Sequence, residues 1–103
     1  MKNVLCNKVT TLKVGEEFIS YTGLCIMILE RIPVNGITVK EMKLDYELTN
    51  KLMNVKEDEE ITLLDEEIKR LKELLDLAKF PFRNRAFVEF GDEIDRMYNE
   101  LND

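Results

Sequence analysis

Residues 37–55 read ITVKEMKLDYELTNKLMNV, and the way this segment winds decides the fold. Thr38 has the chemistry of an N-cap, because its hydroxyl accepts from an otherwise unpaired amide of the first turn. Glu41 follows three residues later and reaches back to the cap, completing a capping box, with Ile37 and Met42 as the hydrophobic staple. Asn35-Gly36 just upstream is a turn signal. Wound at about 100° per residue, Val39, Met42, Tyr46, Thr49 and Met53 fall on one arc. Leu44, Leu48, Leu52 and Val55 fall on roughly the opposite side.

A surface helix needs one apolar stripe, so two stripes imply a helix packed on both sides. The segment is then either the central helix of a small bundle or a helix with one stripe on a partner. Leu44, Leu48 and Leu52 are the candidate interface. Glu41 and Asp45 border that stripe one turn apart, placed to pair with a partner's Lys or Arg or to stand as an ordinary exposed flank.

The 103 residues are expected to form one domain, with an extended arm over 1–15 and a helical bundle over 16–103. An apolar fraction of 45% with 35% charged residues fits a soluble globular chain. The net charge of −6 disfavours nonspecific binding to nucleic acid or an anionic membrane, both of which are driven by basic patches. Histidine is absent, which removes the usual base near neutral pH and the commonest metal ligand. Cys6 and Cys25 are too few and too far apart for a zinc site, so no metal and no cofactor is expected. Reduced thiols fit a cytoplasmic setting. The segment MKNVLCNKVTT lacks the apolar core of a signal peptide, and no apolar run approaches the length of a membrane span.

The arm, NVLCNKVTTLKV over 3–14, is rich in Val, Thr and Leu and reads as extended or as a short strand or hairpin. Gly15 ends it. Across residues 16–32, Phe18, Thr22, Cys25, Leu29 and Ile32 keep helical spacing, with Glu16 and Glu17 suited to a first turn and Pro33 as the stop. Apolar residues surround this segment almost completely, so it is buried or in part a strand. The acidic run KEDEE over 56–60 reads as a solvated linker. Thr62 with Asp65 repeats the capping-box pattern ahead of a helix over 63–79, whose Asp65–Lys69, Glu66–Arg70, Lys69–Glu73 and Lys72–Asp76 pairs mark a solvent face. Pro81 breaks that helix. A last helix over 84–101 gathers Phe87, Phe90, Ile94, Met97, Tyr98 and Leu101 on one face, with a short strand RAFVEF as the alternative. The expected fold is therefore mainly α: about four helices and a short N-terminal β-like arm.

The chain's carboxylates lie on polar helix faces or in KEDEE, without the convergence in a cleft that acid–base catalysis needs. The loop KFPFRNR over 79–85 stands out instead. Lys79, Arg83 and Arg85 concentrate positive charge in an acidic chain, and Phe82 lies among them. Such a loop at a helix start suits a small anionic or phosphate-bearing ligand, or a partner held by arginine and aromatic anchors. The alternative is that the phenylalanines plug the bundle end and the arginines pair with Glu89 or Asp92. No GxxxxGK[ST] or GxGxxG motif is present, which excludes a dedicated nucleotide fold.

GITVKEM at 36–42, LLDEEIKRLKELL at 63–75 and FPFRNRAFVEF at 80–90 together resemble small orphan proteins of tailed-phage genomes, over roughly residues 36–94. The resemblance implies a phage-encoded accessory or counter-defence protein and assigns no site residue. The expected function is a non-enzymatic interaction protein that self-associates and acts on a larger protein partner, without direct nucleic-acid binding and without a membrane.

Overall fold

A computed structural model describes residues 3–31 and 35–101. The chain runs β1 (Val4–Cys6), β2 (Val9–Val14), β3 (Glu17–Ser20), α1 (Tyr21–Leu29), α2 (Val39–Met53), β4 (Glu60–Thr62), α3 (Asp65–Leu77) and α4 (Arg85–Glu100). The four helices are joined by two antiparallel two-stranded sheets, β1 with β4 and β2 with β3. The architecture is a mixed α/β globule. This corrects the expectation of a mainly α bundle with one arm.

The correction has two local causes. The first is at residue 15, where the arm was expected to end. Val14 pairs with Glu17, so Gly15 and Glu16 form a two-residue hairpin turn. Such turns need a positive φ that costs glycine nothing, and Gly15 has φ 69°. The chain therefore folds back into β3 where a first helical turn was expected. Helix α1 starts only at Tyr21, with Ser20 as its N-cap accepting from the Gly23 amide. Gly23 is required by packing: a Cβ there would stand 2.7 Å from the Ile19 side chain that folds over the helix start. The helical spacing of Phe18 with Thr22 is thus a coincidence across a strand–helix junction. Ile32 and Pro33 lie outside the described residues.

The second cause is the run 56–60, which is a structured turn rather than a linker. Glu60–Thr62 pairs with Val4–Cys6, and Asp58 turns the chain with φ 63°. Asn7 holds this corner. It is 2% exposed, and burial of an amide is tolerated only when its polar atoms are bonded. Its Nδ2 donates to the Lys56 carbonyl (3.1 Å), its Oδ1 accepts from the Thr22 amide (2.8 Å), and its backbone bonds Glu59 and Asp58. One side chain thereby ties β1, the acidic turn and α1 together. With Thr62 engaged in β4, the capping box expected at Thr62 and Asp65 does not form. Helix α3 takes Leu64 as its N-cap instead, and the Leu64 amide donates to the Glu67 carboxylate at 2.7 Å.

Helix α1 occupies the centre that was expected of α2. It packs against both α2 and α3, and α3 packs against α4. Its buried residues Tyr21, Thr22, Leu24, Cys25, Ile28 and Leu29 leave it almost no solvent face. Burial pushes the Cys25 thiol up to about 12, so this cysteine is an inert core side chain. Both cysteines are free. Helix α4 inserts Phe90, Ile94 and Met97 as its apolar face predicted, as one helix and not a strand. Among the described residues, no helix is long and apolar enough to cross a membrane.

Candidate functional site

Helix α2 forms as its sequence predicts, with Thr38 and Glu41 exchanging both capping-box hydrogen bonds at 3.1 Å. Its two stripes have opposite fates. Leu48 and Leu52 are fully buried members of the chain's own core, and Leu44 is half-buried at its edge. The surface first assigned to a partner is therefore core at Leu48 and Leu52: the apolar α1 provides the second wall, within one chain.

The bordering acids also find their cation inside the chain. Arg70 of α3 is only 4% exposed and grips Asp45 with two bonds, Nε to Oδ1 at 2.7 Å and Nη2 to Oδ2 at 2.9 Å. Its Nη1 donates to Glu41 at 2.9 Å and to Glu73 at 3.1 Å. This planar fork is the geometry that makes arginine suited to buried carboxylates. Hydrogen bonding to Asp45 raises the guanidinium pKa against the opposing effect of burial. Glu41 is held below the ordinary glutamate range, first by the Thr38 amide and hydroxyl and then by Arg70. Lys51 and Glu67 add a further α2–α3 link at 2.9 Å. Ion pairs at Glu41, Asp45 and Lys51 thus cross the α2–α3 seam. The expected Glu66–Arg70 pair fails because Arg70 turns inward, while Lys72–Asp76 forms at 2.9 Å.

The other stripe of α2 is the exposed one. Val39 and Met53 are each 68% exposed and Tyr46 is 71% exposed, with Met42 between them at 38%. With Thr49, these positions repeat three and four apart, the spacing of a helix–helix seam. Beside them, Leu29, Glu30, Arg31 and Ile37 close a shallow groove with Met42, Tyr46 and Thr49.

The loop 79–85 supplies a second exposed surface. Phe80 stacks on Phe87 with centroids 4.1 Å apart, and Phe82 tilts against Phe87 at 5.5 Å. Phe80 and Phe87 are half-buried and seal the end of the core, whereas Phe82 remains 54% exposed. Lys79, Arg83 and Arg85 are exposed, and none has an ion pair among the described residues, so the pairing with Glu89 or Asp92 is not made. Arg31 spans the two surfaces. It lines the α2 groove, donates to the Lys79 carbonyl and lies 5.1 Å above the Phe80 ring.

Sequence reasoning therefore found loop 79–85 and both stripes of α2, but chose the wrong stripe as the open one. It missed Arg31, whose position depends on α1 ending beside the loop. Among the described residues no group of three or more Cys, Asp or Glu side chains could hold a metal ion. No family model, curated protein or solved structure matches the chain.

Proposed function

We propose that the chain is a non-enzymatic interaction protein, an accessory or inhibitory protein of the tailed-phage type, that works in the cytoplasm and docks on a larger protein through the outer face of α2. The observation that supports this most is a helix whose inward stripe is full while Val39, Met42, Tyr46 and Met53 stand exposed at seam spacing. Exposed apolar side chains in a row, with charged neighbours, are characteristic of contact surfaces, and an amphipathic helix is the partner that such a row fits. The same face is self-complementary in principle, so the chain is expected to self-associate weakly when no partner is present.

The test is retention of a host protein by the tagged chain and by its Tyr46→Glu variant. The wild type should retain a defined partner and the variant should lose it while keeping its circular-dichroism spectrum and melting temperature. Equal retention by both proteins would remove α2 from the reading. Sedimentation at micromolar concentration checks self-association, and a clean monomer would discard that part.

The alternative, a small anionic or phosphate-bearing ligand at Lys79–Arg85, draws on cations there that have no ion pair among the described residues. It is weakened by the local hydrogen bonding. Asn84 caps α4, its Oδ1 accepting from the Ala86 amide at 2.8 Å and its carbonyl from the Phe87 amide at 3.1 Å. Two of the amides that would cradle a small anion, those of Ala86 and Phe87, are already engaged.

A further inference from the structure

We propose that the surface around residues 79–88 is a second contact, fitted to an acidic segment of another polypeptide. It adjoins the α2 face at Arg31 but does not depend on the reading of that face. The chain has 21 acidic and 15 basic residues, and among the described residues carboxylates hold Lys51, Arg70, Lys72 and Arg96. Of its arginines, Arg70 and Arg96 are held by carboxylates, and Arg31 by a carbonyl and a ring. Arg83 and Arg85, with Lys79, have no ion pair among the described residues. They form a local positive field on an acidic protein, and the charge that complements it is negative.

The apolar part of the surface sets the rest of the chemistry. Phe82 and Val88 are 54% and 63% exposed beside these cations. The Phe80–Phe87 stack beneath them is anchored in the core, so the aromatic floor is assembled before anything binds. Arginine and aromatic side chains on a preformed floor are the composition of contact hot spots. The complement is a peptide with carboxylates for Arg83, Arg85 and Lys79 and an apolar side chain for Phe82 and Val88. A free phosphate would leave the apolar part unused and finds the Ala86 and Phe87 amides of α4 occupied. A nucleic-acid strand would bring a long run of negative charge to a chain of net charge −6.

The test is fluorescence anisotropy with a labelled peptide of about ten residues in which glutamate and leucine alternate. A lysine–leucine peptide and an oligothymidine of similar length serve as comparison probes, with inorganic phosphate as competitor. The account expects the acidic peptide to bind, binding to weaken as salt is raised over the range that screens exposed charges, and the double variant Arg83→Glu, Arg85→Glu to weaken it roughly tenfold or more. Because these side chains are exposed and have no ion pair among the described residues, the variant should keep its melting temperature. Phe82→Ala should weaken binding severalfold with an unchanged salt dependence. Tyr46→Glu should leave the peptide affinity at the wild-type value, so failure here and failure of the α2 reading are separable. The proposal is overturned by equal binding of acidic and basic peptides, by an affinity unchanged in the double variant, by binding of oligothymidine in place of the peptide, or by full competition from phosphate at equal ionic strength.

Discussion

The two faces of α2 are built from similar residues and have opposite roles. One places Leu48 and Leu52 in the core with Asp45 locked to Arg70. The other leaves Val39, Tyr46 and Met53 in solvent. The difference does not lie in the helix, whose caps and spacing serve both stripes equally. It lies in what stands opposite: α1 offers an apolar wall and Arg70 a buried cation on one side, and no element covers the other among the described residues. A stripe read from sequence gives a surface that wants burial; its neighbours decide whether the chain itself supplies it.

Four perturbations would break or sharpen that contrast, in descending order of effect. Removing Asp45 leaves the Arg70 guanidinium buried without its main partner, and breaking a buried pair from one side costs about 3–5 kcal/mol. Asp45→Ala should lower the urea midpoint accordingly, and the double variant with Arg70→Leu should recover much of the loss. Leu48→Ala should cost about 2–5 kcal/mol in the same titration, since the side chain is fully buried and leaves a cavity. Thr38→Ala removes the cap of α2 and should cost about 1 kcal/mol, read as a lower melting temperature. Tyr46→Ala on the outer face should change the midpoint by less than about 0.5 kcal/mol, as exposed substitutions do.

A pH titration examines the inner face by another route. The folded state holds Glu41 below the ordinary glutamate pKa, through Thr38 first and Arg70 after it. A depressed carboxylate contributes stability that is fully present above the unfolded-state pKa and is lost as pH falls through the lower folded-state pKa. The melting temperature should therefore decline on the acid side, below the ordinary glutamate range. Glu41→Gln should flatten part of that decline while lowering stability at neutral pH.

The helices were largely legible because each has a local signal. The box at Thr38 and Glu41 and the four-three apolar spacing of α3 and α4 are short-range facts of the chain. What could not be read was long-range. Strand β4, Glu60–Thr62, is three residues at the end of an acidic stretch, and it is a strand only because Val4–Cys6 lies alongside it. Asn7 gives no sign in the sequence that it will be buried among five backbone partners. Gly15 was visible, but the helical spacing after it imitated a helix, and the turn geometry that outweighs that spacing becomes clear only with the β2–β3 register. Loop 79–85 was found from composition alone, since cations and phenylalanines beside a proline stand out in an acidic chain. The open face of α2 was misassigned because both stripes are apolar, and periodicity cannot say which one meets the central α1.

The central claim is that α2 has one face committed to the core and one left exposed. Urea denaturation of Leu48→Lys beside Tyr46→Lys tests it most directly, because the same charge enters the same helix on opposite sides. The account predicts that Leu48→Lys loses the cooperative unfolding transition while Tyr46→Lys keeps the wild-type midpoint. A Tyr46→Lys protein unfolded as severely as Leu48→Lys would contradict it.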